Sequence, residues 1–190
     1  MKQDQDISKT LAEAVQSAAD ARTPLQITGG GTKAFYGLPS AGQQLDVGNH
    51  RGIVSYEPTE LVITARAGTP LADIETALAE KNQMLGFEPP HFGDAAAGQS
   101  KRNSLSDASK GAHFMQLHAD GSAPASERAS PRESGATLGG TIACGFSGPR
   151  RPWAGSARDF VLGTKILNGK GEILRFGGQV MKNVAGFDVS

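Results

Sequence analysis

An α+β fold is what this sequence predicts, and three observations carry that expectation. Helical and strand periodicities follow one another without the steady strand–helix–strand rhythm of a doubly wound sheet. Two pairs of strand-like runs are each joined by a short turn sequence, as antiparallel hairpins are. Glycine is in excess, at 25 of 190 residues, where a share of about 7% is usual. It has no collagen-like period, so these glycines serve particular backbone positions.

Ile7, Leu11, Val15 and Ala18 recur at helical spacing and predict an amphipathic helix over residues 8–21, with Thr10 and Glu13 as its capping box. Pro24 ends it, and Leu25 and Ile27 then alternate as a short strand does. A glycine run, Thr28-Gly-Gly-Gly-Thr-Lys33, follows, and a second strand is expected over 45–47. Residues 53–56 and 61–66 are β-rich runs around Glu57-Pro58-Thr59-Glu60, a good turn. A second helix opens at Thr69, its expected N-cap, with Pro70 in the first turn. Its inward face reads Leu71, Ile74, Ala77 and Leu78. From residue 94 to 134 Ala, Ser, Gly and scattered charge dominate. So little apolar surface cannot offset the entropy of ordering the segment, which reads as a long flexible insertion. Order resumes at Gly135-Ala-Thr-Leu-Gly-Gly140, and residues 161–167 and 172–176 predict a hairpin around Asn168-Gly169-Lys170-Gly171.

Composition excludes several functions. Lys+Arg and Asp+Glu both number 19, for a net charge of zero, which argues against a nucleic-acid or polybasic membrane-surface binder. The single cysteine, Cys144, rules out an intrachain disulfide framework and a multi-cysteine metal site. It reads as a small buried hydrophobe. The polar start and the lack of any long apolar run predict neither signal peptide nor membrane span, and a cytoplasmic location. His50, His91, His113 and His118 share no metal-ligand spacing. His91 reads either as an ordinary loop histidine or as one that faces a ligand.

Two glycine clusters remain as candidate sites. The run at 29–31 lets backbone N–H groups point into a concavity, as phosphate-binding nests do, and Lys33 adds a point charge. Alternatively it is only a turn. In the cluster at 135–151, small residues at Gly139, Gly140, Ala143 and Gly145 permit close approach, and Arg150 and Arg151 can neutralise an anion. Alternatively it is a close-packed helix with solvated arginines. Residues 163–171 imitate a P-loop but have one spacer residue too many and no final Ser or Thr. Neither cluster contains G-x-G-x-x-G, which counts against a Rossmann site. Two such loops in one domain suit a ligand with a central diphosphate, such as FAD.

Seven motifs in series strengthen this. They are Thr28-Gly-Gly-Gly-Thr-Lys33, Ala67-Gly-Thr-Pro-Leu-Ala-Asp-Ile74, Glu88-Pro-Pro-His-Phe-Gly93, Gly135-Ala-Thr-Leu-Gly-Gly140, Ser147-Gly-Pro-Arg-Arg151, Gly155-Ser-Ala-Arg-Asp-Phe-Val-Leu-Gly163 and the run from Phe176 to Asp188. With them the chain resembles the FAD-binding subunits of glycolate oxidase (glycolate dehydrogenase), in the PCMH-type, or vanillyl-alcohol-oxidase, flavoprotein superfamily. The resemblance implies a PCMH-type FAD-binding domain of two α+β subdomains, at 1–93 and 135–190, interrupted by the insertion at 94–134. The second is expected to be truncated, without the cap domain that shapes a substrate pocket. The insertion reads as a solvated arm, a partner-docking arm or an error in the gene model.

By the same resemblance Gly29, Gly30, Gly31, Thr32 and Lys33 form a first FAD loop, and Pro90 lies along the flavin. Thr137, Leu138, Gly139, Gly140, Gly145 and Gly148 form a second loop, flanked by Gly155, Ser156, Arg158, Asp159 and Val161. Lys182 and Gly186 are further implied contacts. The first loop holds neither histidine nor cysteine, so FAD is expected to be non-covalent. The implied reaction oxidises a 2-hydroxy acid, glycolate, to glyoxylate. The implied partners are a larger flavin subunit and an iron–sulfur subunit, without which this subunit is expected to be inactive. No catalytic base can be named. A different outcome, a non-catalytic assembly module that keeps the fold without functional flavin, is the alternative.

Overall fold

A computed structural model of the chain describes residues 4–38, 40–92 and 135–178. The insertion expected at 94–134 lies outside the described residues, as do Lys182 and Gly186. The described part mixes helices and short strands, as expected of α+β.

Helix α1, Ser8–Asp20, buries Val15 and Ala18 on one stripe. Its start differs from the expectation: Thr10 and Glu13 lie inside the helix and form no capping box. Instead Asp6, two residues before Ser8, accepts hydrogen bonds from the Ser8 N–H, at 3.0 Å, and from the Ser8 hydroxyl. A carboxylate there also suits the positive end of the helix dipole. The bonds from Ser8 hold the Asp6 carboxyl at a pKa of about 2. Its charge therefore contributes stability above the unfolded-chain pKa of about 3.9, and that contribution is lost as pH falls through about 2. We expect the urea midpoints of the wild type and Asp6→Asn to differ by a constant amount above pH 4. The gap should close between about pH 4 and pH 2; a gap that stays open across that range removes Asp6 as the cap. The other end of α1 closes in a Schellman turn, with Thr23 N–H donating to Ala18 O at 2.8 Å and Arg22 N–H to Ala19 O at 3.1 Å. Arg22 takes the left-handed position usually given to glycine, φ 51°.

Strands β1, Leu25–Thr28, and β2, Gln43–Asp46, pair in parallel, with Thr28 opposite Asp46. The expected second strand starts earlier than predicted because Gln43 and Gln44 are exposed and offer no apolar alternation to read. Strands β3, Ile53–Glu57, and β4, Val62–Ala65, form the expected hairpin, with an irregularity between Ile53 and Ser55.

Helix α2, Leu71–Ala79, buries Leu71, Ile74 and Leu78. Thr69 is not its N-cap; Pro70 holds that position. The Thr69 hydroxyl instead accepts from Gly52 N–H at 3.0 Å and donates to Gly52 O at 3.2 Å, which ties the start of α2 to the β3 strand. Leu71 is 0% exposed, so Leu71→Ala should lower unfolding free energy by about 2–5 kcal/mol, measured by denaturant titration. A loss under 1 kcal/mol would mean that this helix is not central to the core.

The chain on either side of the insertion meets at this point. Leu71 N–H donates to Ala136 O at 2.9 Å, Leu138 N–H to Thr69 O at 2.9 Å and Gly139 N–H to Ala67 O at 2.8 Å. Helix α3, Leu138–Cys144, ends on Gly145 in the left-handed conformation, φ 65°. Short helix α4, Arg151–Ala154, leads to a 3-10 turn, Ala157–Phe160. Strands β5, Gly163–Leu167, and β6, Ile173–Gly177, complete the predicted hairpin. Its turn is held by Asn168, whose side-chain oxygen accepts from the N–H groups of Lys170 and Glu172, both at 2.9 Å. Among the described residues no helix is long and apolar enough to cross a membrane.

Candidate functional site

The first glycine run leaves the carboxyl end of β1, beside Asp46 at the end of β2. Its fit against the second run is close: a Cβ on Gly30 would overlap the carbonyl oxygen of Gly135, and one on Gly29 would lie 3.3 Å from the Thr137 hydroxyl. The absence of side chains there is what lets the two runs touch. Between them lies a hollow of about 140 Å³, whose walls include Gly29, Gly30, Gly135 and Thr137 together with Asp46 and Arg51. Small-molecule pockets are commonly about 300 Å³ or more. This hollow therefore suits a small anionic portion of a ligand, of diphosphate size, and not a whole dinucleotide.

The two runs use their backbone donors differently. Among the described residues none accepts from the N–H groups of Gly29, Gly30, Gly31, Thr32 or Lys33. In the second run the N–H groups of Leu138 and Gly139 serve Thr69 and Ala67, and Gly140 N–H donates to the Thr137 hydroxyl at 3.3 Å. A Cβ on Gly139 would lie 2.7 Å from the Ala67 Cβ, so this glycine permits helix packing. Among the described residues the N–H groups of Gly135, Ala136 and Thr137 likewise have no acceptor, so both runs hold open donors, as a nest for an anion requires.

Lys33 does not line the hollow. Its Nζ lies 5.7 Å from the centroid of the Phe92 ring, and burial lowers its pKa from the usual lysine value. Phe92 is part of an aromatic cluster that sequence reasoning missed. Its ring is 5.1 Å from that of Phe35 and 5.2 Å from that of Phe146, and Tyr36 is 5.2 Å from Phe146. The cluster joins the first run, the segment after Pro90 and the end of α3. Three separate stretches supply these rings, so no local spacing announces them.

The remaining expected residues form a second group. Gly148, φ 74°, packs against Glu88, and a Cβ there would overlap the Glu88 carbonyl oxygen. Ser147 O accepts from Glu88 N–H at 3.3 Å, and its hydroxyl accepts from Ala157 N–H at 2.9 Å. Asp159 accepts from the N–H and hydroxyl of Ser156, at 2.6 and 2.9 Å, closing a capping box beside Gly155. Those bonds lower the Asp159 pKa. Arg158 is exposed and Val161 half-buried. Pro90 is half-buried and does not line the hollow. His91 is exposed, with Nε2 2.9 Å from Glu75 of α2, and Cys144 is a half-buried free thiol. Among the described residues no cluster of His, Cys, Asp or Glu could hold a metal ion.

Asp46 and Arg51 also escape a reading of the sequence. The end of β2 carries Asp46 to the hollow and the turn from β2 to β3 carries Arg51 there, which only the parallel pairing of β1 with β2 reveals.

Comparison with known proteins bears on the family. The sequence profile of a family described as "FAD binding domain" matches residues 8–100. The chain is 49% identical over 185 residues to "Glycolate oxidase subunit GlcE" of Escherichia coli (strain K12). That match covers 97% of this chain and 41% of the relative, so the chain spans about two fifths of the length of the curated protein it matches.

Proposed function

We propose that the chain, whose residues 8–100 match the FAD binding domain family, is the FAD-binding part of a glycolate oxidase-type subunit. The proposed reaction of the whole assembly is oxidation of a 2-hydroxy acid, glycolate, to glyoxylate. A larger flavin subunit and an iron–sulfur subunit are the proposed partners, and the chain alone is proposed to be inactive. One observation supports the cofactor assignment above the rest: two glycine runs far apart in sequence touch beside a hollow of diphosphate size, and among the described residues the N–H groups of the first run have no acceptor.

In this reading the N–H groups of Gly29, Gly30, Gly31 and Thr32 hold the diphosphate, with the Thr137 hydroxyl beside them. The residues fit such a group, since a preformed nest meets an anion with little reorganisation. When bound, the flavin accepts the electrons removed from the 2-hydroxy acid. The protein's own contribution is to orient that cofactor. Gly139 and Gly148 bring α3 and the 147–148 turn hard against residues 67 and 88, which fixes the second run behind the first. Neither histidine nor cysteine stands in the first loop, so the flavin is proposed to be held without a covalent bond.

Purification under native conditions tests this. The expected product is yellow and releases FAD into the supernatant on acid precipitation. Glycolate-dependent dye reduction should appear only after the partner subunits are added. Colourless protein that takes up no added FAD would favour the non-catalytic assembly module, and flavin that stays with the precipitate would overturn the non-covalent assignment.

A further inference from the structure

We infer that Arg51, and not Lys33, is the side chain whose positive charge meets the diphosphate in the glycine hollow. The inference rests on the FAD reading above and adds the residue that gives this site its charge preference. Arg51 lines the hollow and Lys33 does not. The Arg51 backbone is clamped: its N–H donates to Gln5 O at 3.1 Å and its carbonyl accepts from Gln5 N–H at 2.9 Å. The same carbonyl accepts from the Arg66 guanidinium at 3.5 Å. Among the described residues the Arg51 guanidinium forms no ion pair, whereas neighbouring Arg66 is paired with Asp6 at 3.6 Å.

The hollow needs such a charge. Asp46 stands in its wall, with one carboxylate oxygen accepting from Gly48 N–H at 2.8 Å. Left alone that carboxylate would repel a diphosphate. A guanidinium offsets it and offers paired N–H donors that match phosphate oxygens. Lys33 serves the fold instead. Its ammonium, set over Phe92, fastens the first run to the aromatic cluster.

The test is calorimetric titration of the full chain with FAD, ADP and adenosine at low and moderate salt, for wild type, Arg51→Gln, Arg51→Lys and Lys33→Gln. Arg51→Gln should weaken FAD and ADP by roughly tenfold, flatten their salt dependence and leave adenosine unaffected. Arg51→Lys should recover part of the loss. Lys33→Gln should keep ADP affinity within about twofold and lower the melting temperature instead, because it loses a cation–π contact. FAD uptake that is indifferent to Arg51→Gln, or that falls tenfold with Lys33→Gln, overturns this assignment and leaves the FAD reading standing. A chain that binds neither FAD nor ADP overturns both.

Discussion

Gly30→Val is expected to weaken flavin uptake at least severalfold while leaving α1 and α2 folded. A Cβ at residue 30 would overlap the carbonyl oxygen of Gly135. That atom is main chain and cannot rotate aside, so the two glycine runs must separate. Overpacking of this kind costs about 1–3 kcal/mol. Drawn from binding, that is a loss of roughly 5- to 150-fold in FAD affinity, before counting the valine methyls that would enter the hollow. Quenching of flavin fluorescence on titration measures the affinity, and far-ultraviolet circular dichroism checks the helices. Unchanged affinity in a folded variant would place the cofactor elsewhere.

Gly148→Ala is expected to be more destabilising than the same change at Gly145. Gly148 sits at φ 74°, where an L side chain costs about 1–2 kcal/mol. A Cβ there would also overlap the carbonyl oxygen of Glu88, adding about 1–3 kcal/mol. Together that is about 2–5 kcal/mol, against a stability of about 5–15 kcal/mol for an ordinary domain. Gly145→Ala provides the contrast. Its φ is 65°, but nothing lies within 4 Å of the added carbon, so only the backbone cost of about 1–2 kcal/mol should appear. Denaturant midpoints for the pair separate strain from overlap. Equal losses would mean that the contact with Glu88 yields freely.

Much of this architecture is legible in the amino-acid order. Leu11, Val15 and Ala18 mark α1 and Leu71, Ile74 and Leu78 mark α2, because a buried stripe has a period that any window reveals. Asn168 and Gly171 mark the last hairpin, because its turn needs their backbone and side-chain habits. The features that stay hidden arise from contacts between distant stretches. Thr69 looks like a cap in isolation, yet its hydroxyl is taken by Gly52. Thr10 and Glu13 spell a capping box, but Asp6 reaches Ser8 first. The placement of Arg51, and the gathering of Phe35, Phe92 and Phe146, depend on pairings that no local pattern encodes. The glycine runs themselves are visible as runs. Which of their N–H groups are used in packing emerges only from bonds such as those of Leu138 and Gly139.

Those same bonds bear on how the protein comes to be folded. Residues 67–71 and 136–139 are stitched together across a wide gap in sequence, and contacts of that span must overcome loop-closure entropy before they return any energy. The helices and hairpins can form early, from neighbours along the chain. The hollow between the glycine runs cannot exist until the distant halves have docked, so binding competence should be the last property recovered on refolding.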